Sequence, residues 1–154
     1  MIQYSKPTVK DIDKMQQMVA PYIVDGTILK REDDEVATNI RSYIVAKEGD
    51  QLIGYLALHI HTKDLAEIRS FIVDAPFRHK GIGTALVKEA KEEAKRLGIA
   101  RILVLTYQNL IAFFHNEGFK DVEKREIPQQ KIWADCIKCI HFPTSCSEFA
   151  LIYE

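Results

Sequence analysis

The segment from Arg78 to Gly83, RHKGIG, combines basic residues with glycines at the junction of a β-rich run, residues 68–73, and a helical run, residues 84–97. Glycine allows backbone dihedrals and a close ligand approach that a side chain would forbid. The first turn of a helix adds unpaired N–H groups and the positive end of the helix dipole. The segment therefore predicts a site for an anion such as a pyrophosphate, although a plain surface turn can share this short pattern.

Three cysteines and a histidine lie close together near the C-terminus, at Cys136, Cys139, His141 and Cys146. Three thiolates and one imidazole can complete a tetrahedral zinc site, but this spacing is not one of the familiar zinc patterns. The alternative is reduced thiols that pack as small apolar side chains. We favour the second interpretation and expect no metal.

The composition is that of an ordinary globular protein of 154 residues, with 47% hydrophobic and 28% charged residues. This length predicts one domain over residues 1–154, with a cysteine-containing tail from 128 to 154 packed on it. The net charge of −1 argues against nucleic acid or an anionic membrane as a partner. Because no apolar run reaches the roughly 20 residues of a membrane span and no secretory signal is recognisable, we expect a cytoplasmic protein with small-molecule partners.

The hydrophobic pattern predicts the elements that would position these groups. A helix is expected from about Ile12, after the capping residue Thr8. Strands are predicted at 43–48, 52–60, 66–73 and 101–106, and helices at 84–97 and 110–117, which end at Gly98 and Gly118. A strand–helix–strand unit should be parallel and right-handed, which gives an α/β fold with a mixed central sheet flanked by helices.

Three stretches together resemble the acyl-CoA signature of the GNAT superfamily of N-acetyltransferases: residues 66–83, residues 98–107 with RILVLTY, and residues 112–119, AFFHNEGF. A narrower similarity is to short single-domain N-acetylglutamate synthases. It lies in GTILKR at 26–31 and in the KIWADCIKC segment near the C-terminus. The resemblance implies the GNAT fold, acetyl-CoA as co-substrate, and transfer of its acetyl group to the α-amine of L-glutamate in arginine biosynthesis. A homodimer is common in the superfamily.

Two alternatives remain open. The acceptor would be another amine, such as a polyamine, an antibiotic or a protein N-terminus, or the chain would be a non-catalytic acyl-CoA-binding module.

The resemblance also implies which residues hold the co-substrate. Backbone N–H groups of the glycine loop would bind the pyrophosphate of acetyl-CoA, and the preceding strand would align the pantetheine arm. The implied residues are Ile72, Val73, Arg78, His79, Lys80, Gly81, Ile82, Gly83, Thr84 and, from the downstream helix, Phe114. Charged loop side chains are often solvated, so the backbone of Gly81 and Gly83 is the firmer expectation.

Glu67 is the candidate catalytic base, because an amino-acid ammonium must lose a proton before its nitrogen can attack a thioester. On a regular strand Glu67, Arg69 and Phe71 share one face, which would bring a carboxylate and a guanidinium to the acceptor. The alternative is an ordinary ion pair on a solvated sheet face.

Lys30, Arg31 and Arg69 are the expected clamp for the two carboxylates of glutamate, with Arg41 in reserve. Lys30 and Arg31 precede an acidic run, residues 32–35, so a charged helix entry whose charges compensate one another explains them equally well.

Phe114 departs from the family pattern, in which many members carry a tyrosine that can protonate the departing CoA thiolate. Phenylalanine has no such proton. The role would pass to Tyr107, our candidate, to His115 or to water, or would go unfilled because a thiolate is a tolerable leaving group. Tyr107 can equally be a packed aromatic residue at a strand end.

Overall fold

The computed structural model describes residues 1–123, 126–127 and 149–154. In this part of the chain the strands are β1 (Ile2–Ser5), β2 (Tyr43–Glu48), β3 (Gln51–Thr62), β4 (Leu65–Val73), β5 (Arg101–Thr106), β6 (Lys120–Val122) and β7 (Phe149–Tyr153). They form one sheet in the order β1-β2-β3-β4-β5-β7-β6. Strands β4 and β5 pair in parallel and the other neighbours pair antiparallel. The predicted mixed α/β sheet is confirmed.

The described α-helices are α1 (Ile12–Val24), α2 (Asp33–Thr38), α3 (Ile82–Leu97) and α4 (Ile111–Asn116). A capping box of Thr8 and Asp11 starts the short 3-10 turn that leads into α1, which satisfies N-terminal N–H groups that would otherwise lack partners. Helix α3 ends at Gly98, whose φ of 78° lies in the left-handed region. Local signals in the sequence therefore set these helix ends.

The sheet separates two apolar cores. On one face Ile68, Leu86, Ala90 and Phe114 pack together, so that α3 and α4 lie against the centre of the sheet. On the other face the core under α1 and α2 contains residues of both helices and of strands β2 to β4: Met15, Val36, Tyr43, Tyr55, Ala57 and Ile72. The apolar stripes of the helices are thus matched to opposite faces of one sheet.

The parallel pairing of β4 with β5 is short. It joins residues Leu65–Ile68 of β4 to Arg101–Val104 of β5, and β4 continues to Val73 while β5 ends at Thr106. The two strands therefore separate beyond Ile68. This opening lies at the carboxyl ends of parallel strands, where ligands bind in α/β sheets.

A β-bulge interrupts β4 where the separation begins. Arg69 lies opposite Ala57 and Ile72 lies opposite Tyr55, so Ser70 and Phe71 together face a single residue of β3. Ser70 adopts a φ of 55°, which is uncommon for a residue with a side chain. A bulge of this kind bends the strand and changes the direction of its side chains.

The bulge makes one sequence-based expectation wrong. Phe71 does not share a face with Glu67 and Arg69, because the extra residue shifts the alternation. Its ring stacks on Phe113 in the core beside α3 and α4. Ile72 instead faces the core beneath α1.

We predict that Gly54→Ala lowers the free energy of unfolding by about 1–3 kcal/mol, as expected for overpacking. A Cβ at Gly54 would lie 2.9 Å from the backbone oxygen of Ile72, so β3 and β4 would have to move apart beside the bulge. Urea denaturation measures the loss.

Gly49→Asn is the matched control, because Gly49 has a φ of 61° and open space around it and asparagine tolerates that conformation. Equal unfolding midpoints for the two variants would contradict a steric conflict between a Cβ at Gly54 and the backbone of Ile72.

Candidate functional site

The separated ends of β4 and β5 border a cavity of about 910 Å³. Its walls come from β4, β5, the start of α3, helix α4 and the segment that follows α1. Most of the residues singled out from the sequence line it: Arg31, Glu67, Arg69, Ile72, Val73, Arg78, His79, Gly81, Ile82, Gly83, Thr84, Tyr107 and Phe114. A volume of this size accommodates a small-molecule ligand.

The N-terminus of α3 opens into the cavity. Gly81 precedes the helix with a φ of 82°, and within the described residues no side chain caps it and no acidic residue occupies its first turn. Among the described residues, the first N–H groups of the helix therefore have no acceptor from a capping side chain or a first-turn carboxylate. Thr84 donates its hydroxyl to Glu117, with an Oγ1–Oε2 distance of 3.0 Å. Its side chain is thus engaged outside the helix end.

Gly83 has a packing role that differs from that of Gly81. A Cβ at Gly83 would lie 3.1 Å from Cζ of Phe71, so a side chain there would press on the aromatic cluster at the cavity wall. A Cβ at Gly81 would meet nothing within 4 Å. Only the left-handed backbone conformation requires glycine at that position.

The basic side chains of the loop point in different directions. The Arg78 guanidinium donates through Nε to the backbone oxygen of Val73 at 3.1 Å and through Nη2 to the hydroxyl of Tyr22. It therefore ties the loop to β4 and α1. Lys80 lies over the ring of Phe77 at 5.6 Å and is not among the lining residues. Its place in the predicted anion site is not supported by the geometry.

Glu67 is buried, with 1% of its surface exposed. Its Oε1 lies 2.8 Å from Nε2 of His61, and the ring of His59 packs edge-on against His61 with centroids 4.9 Å apart. Both histidines come from β3, which pairs with β4 in a hairpin.

Sequence reasoning missed His59 and His61. The available signal was their period-two spacing in HIHT, two residues before a strand that carries Glu67.

Arg31 and Arg69 both line the cavity. Arg31 is 8% exposed and its Nη1 lies 2.9 Å from Oε2 of Glu35. Burial raises the pKa of the Tyr43 phenol, and the guanidinium groups of Arg31 and Arg69 oppose that rise. Both cations are therefore close to the same hydroxyl group.

Lys30 lies outside this group of charges. Its side chain is 64% exposed and its Nζ is 3.4 Å from Oε1 of Glu32, and it is absent from the cavity lining. Arg41 is also exposed and outside the lining. The structure thus brings together two of the four basic residues considered for the clamp.

Tyr107 follows β5 and donates its hydroxyl to the backbone oxygen of Gly26 at 3.3 Å. The bond anchors the segment after α1 against the end of β5. Phe114 is 1% exposed and packs against the rings of Phe71, Phe113 and Phe119. Phe114 is therefore part of an aromatic core.

His115 lies at the surface, where its Nε2 is 2.8 Å from Oδ1 of Asp121. It does not line the cavity, so the structure does not support it as the acid.

The candidate zinc ligands Cys136, Cys139, His141 and Cys146 lie outside the described residues. Among residues 1–123, 126–127 and 149–154, no group of three histidine, cysteine, aspartate or glutamate side chains is arranged to hold a metal ion. In that same part of the chain, no helix has the length and apolar character needed to cross a membrane.

Residues 12–119 match the sequence model of the Acetyltransferase (GNAT) family. An uncharacterized N-acetyltransferase of Chlorobaculum tepidum is 37% identical over 142 residues, which are 92% of this chain and 89% of that protein. An amino-acid acetyltransferase of Aeromonas salmonicida is 28% identical over 125 residues, which are 80% of this chain but 28% of that protein.

A solved structure shows the same fold. The N-acetylglutamate synthase from Neisseria gonorrhoeae, complexed with coenzyme A and N-acetyl-glutamate, superimposes with a TM-score of 0.86 at 20% identity, over 99% of this chain and 35% of that chain. The chain belongs to the GNAT family of acetyltransferases. It is an acetyl-CoA-dependent N-acetyltransferase.

Proposed function

We propose that this enzyme transfers the acetyl group of acetyl-CoA to the α-amine of L-glutamate by direct attack. The observation that carries the proposal is a pair of opposite charges on β4, the buried Glu67 and the half-buried Arg69, which both line the cavity where β4 separates from β5. A base and a carboxylate-binding cation are thereby held on one sheet face. The names of the Aeromonas and Neisseria proteins support an amino-acid acceptor.

The co-substrate would lie between the separated strands. The N–H groups at the start of α3, from Ile82 to Thr84, would hold the pyrophosphate, since a helix N-terminus favours an anion. The backbone of Ile72 and Val73 would align the pantetheine arm along β4, where pairing with β5 has ended. Phe114 and its neighbouring rings would form the apolar wall beside the thioester.

Glu67 would remove a proton from the α-ammonium group of the acceptor, directly or through a water molecule. The neutral nitrogen then attacks the thioester carbonyl carbon, the C–N bond forms, and the C–S bond breaks to release CoA as a thiolate. The thiolate takes a proton from Tyr107 or from water. Tyr107 is the candidate acid because its phenol borders the same cavity.

Arg69 would bind one carboxylate of glutamate and Arg31 the other. Guanidinium groups suit this task because their donors match the two oxygens of a carboxylate. The ion pair with Glu35 holds Arg31 at the cavity wall. Lys30, by contrast, remains a predicted contact that the geometry does not favour.

The acceptor is tested by measuring CoA thiol release from acetyl-CoA with L-glutamate, aspartate, glutamine, spermidine or no acceptor. We expect release with glutamate, because aspartate is one methylene shorter and glutamine lacks the second charge. CoA release with a different amine, and not with glutamate, would identify that amine as the acceptor. Acetyl-CoA binding without release on any amine would contradict the proposal and favour a binding module.

The co-substrate loop is tested by Gly81→Ala, with Gly98→Ala as its matched control. Both glycines have a left-handed φ and open space at the Cβ position, so each substitution should cost about 1 kcal/mol of stability. Only Gly81 lines the cavity. We therefore expect a several-fold higher KM for acetyl-CoA in Gly81→Ala alone. Equal KM values in the two variants would contradict a role for the loop in acetyl-CoA binding.

The acceptor clamp is tested by comparing Arg69→Met with Lys30→Met in steady-state kinetics. Loss of a charge-assisted hydrogen bond worth about 1.5–3 kcal/mol should raise the KM for glutamate tenfold or more in Arg69→Met. Lys30→Met should change it less than twofold, because that side chain is solvated and paired with Glu32. A larger rise in the KM for glutamate in Lys30→Met than in Arg69→Met, with melting temperatures unchanged, would assign the clamp to Lys30.

A further inference from the structure

We propose that His61 is a positioning residue for Glu67: its imidazole donates a hydrogen bond that holds the carboxylate in the orientation needed to take a proton from the acceptor. The inference rests on the proposed role of Glu67 as the base. It adds a residue of β3 to a site otherwise built from β4, β5 and α3.

The contact between the two side chains is short and buried. Nε2 of His61 lies 2.8 Å from Oε1 of Glu67, and each side chain is 2% exposed. Two such atoms at this distance must share a proton. A carboxylate that serves as a base is ionised and can only accept, so in the proposed role the ring donates from Nε2. The carboxylate of Glu67 is thereby oriented.

An irregularity in β3 gives His61 its direction. Ile60 lies opposite Ala66 and Thr62 lies opposite Leu65, so His61 is an extra residue in its strand. The residue directly opposite Glu67 is His59, yet it is Nε2 of His61 that lies 2.8 Å from Oε1 of the carboxylate. His61 lies two residues from His59 and so on the same strand face, and the bulge bends β3 at this residue.

His59 supports the arrangement from one side. Its ring meets that of His61 at an interplanar angle of 77°, an edge-to-face geometry that restricts rotation of the second ring. The bulge, the packed ring and the hydrogen bond together fix the imidazole, and through it the carboxylate. A carboxylate that can rotate would spend less time aligned with the acceptor nitrogen.

The test compares His61→Gln, His61→Phe and Glu67→Gln, with the amine that supports CoA release as acceptor. Glutamine keeps an N–H donor at about the reach of Nε2, whereas phenylalanine keeps the ring and removes the donor. We expect Glu67→Gln to lower kcat by about 10²–10⁴-fold, the usual contribution of a general base. His61→Phe should lower kcat at least tenfold, and His61→Gln should recover most of that loss.

The KM for acetyl-CoA should stay within twofold of wild type in all three variants, because the co-substrate loop is untouched. Lys47→Gln is the control. It removes a cation that lies 2.8 Å from Oδ1 of Asp11, on a strand outside the cavity lining, so it should lower stability without changing kcat.

A spectroscopic measurement keeps the inference testable if a variant fails to fold. In wild-type protein the Nε2 proton of His61 should give a slowly exchanging imidazole signal in ¹⁵N-edited NMR. The signal should vanish in His61→Gln and shift in Glu67→Gln. This readout does not depend on the acceptor. Absence of the signal in wild type would overturn the hydrogen bond itself.

The outcomes separate the two proposals. An inactive Glu67→Gln with a fully active His61→Phe would overturn the role of His61 and leave Glu67 as the base. A fully active Glu67→Gln would overturn the base, and the positioning role with it. Loss of kcat in both, with recovery in His61→Gln, would support both.

Discussion

Strands β4 and β5 pair through four residues each, from Leu65 to Ile68 and from Arg101 to Val104, and then separate. Backbone N–H and C=O groups in a sheet need partners, and β5 supplies none to β4 beyond Ile68 in the described part of the chain. The bulge at Ser70 bends the strand at this point. The cavity, its lining and the opening toward the start of α3 all follow from that separation.

Burial of charge is the second constraint on this site. A carboxylate removed from water is tolerated only when hydrogen bonds or opposite charges compensate it. Glu67 meets this condition through His61, with Arg69 next to it on the same strand face. Arg31 reaches the same side of the sheet from the chain between α1 and α2 and is held there by Glu35. The buried Glu67 and the buried Arg31 thus each have a partner within hydrogen-bond distance.

The cavity wall joins elements that are far apart in sequence. The Tyr107 hydroxyl holds the segment after α1, and Arg78 connects the loop before α3 to both β4 and α1. The aromatic rings around Phe114 close the side opposite these polar bonds. Acceptor and co-substrate would therefore bind to parts of one connected framework.

The sequence by itself determined the start of α1, the ends of α3 and α4, the hairpin of β2 and β3, the parallel crossover and the glycine loop, because capping, periodicity and left-handed glycines act within a few residues. Residue type and spacing also indicated Glu67 and Arg69. Only the tertiary structure decided that Phe71 leaves their face, that His61 reaches Glu67, and that Arg31 rather than Lys30 enters the cavity. Bulges and the meeting of distant charges depend on neighbouring strands and loops, and no local pattern encodes them.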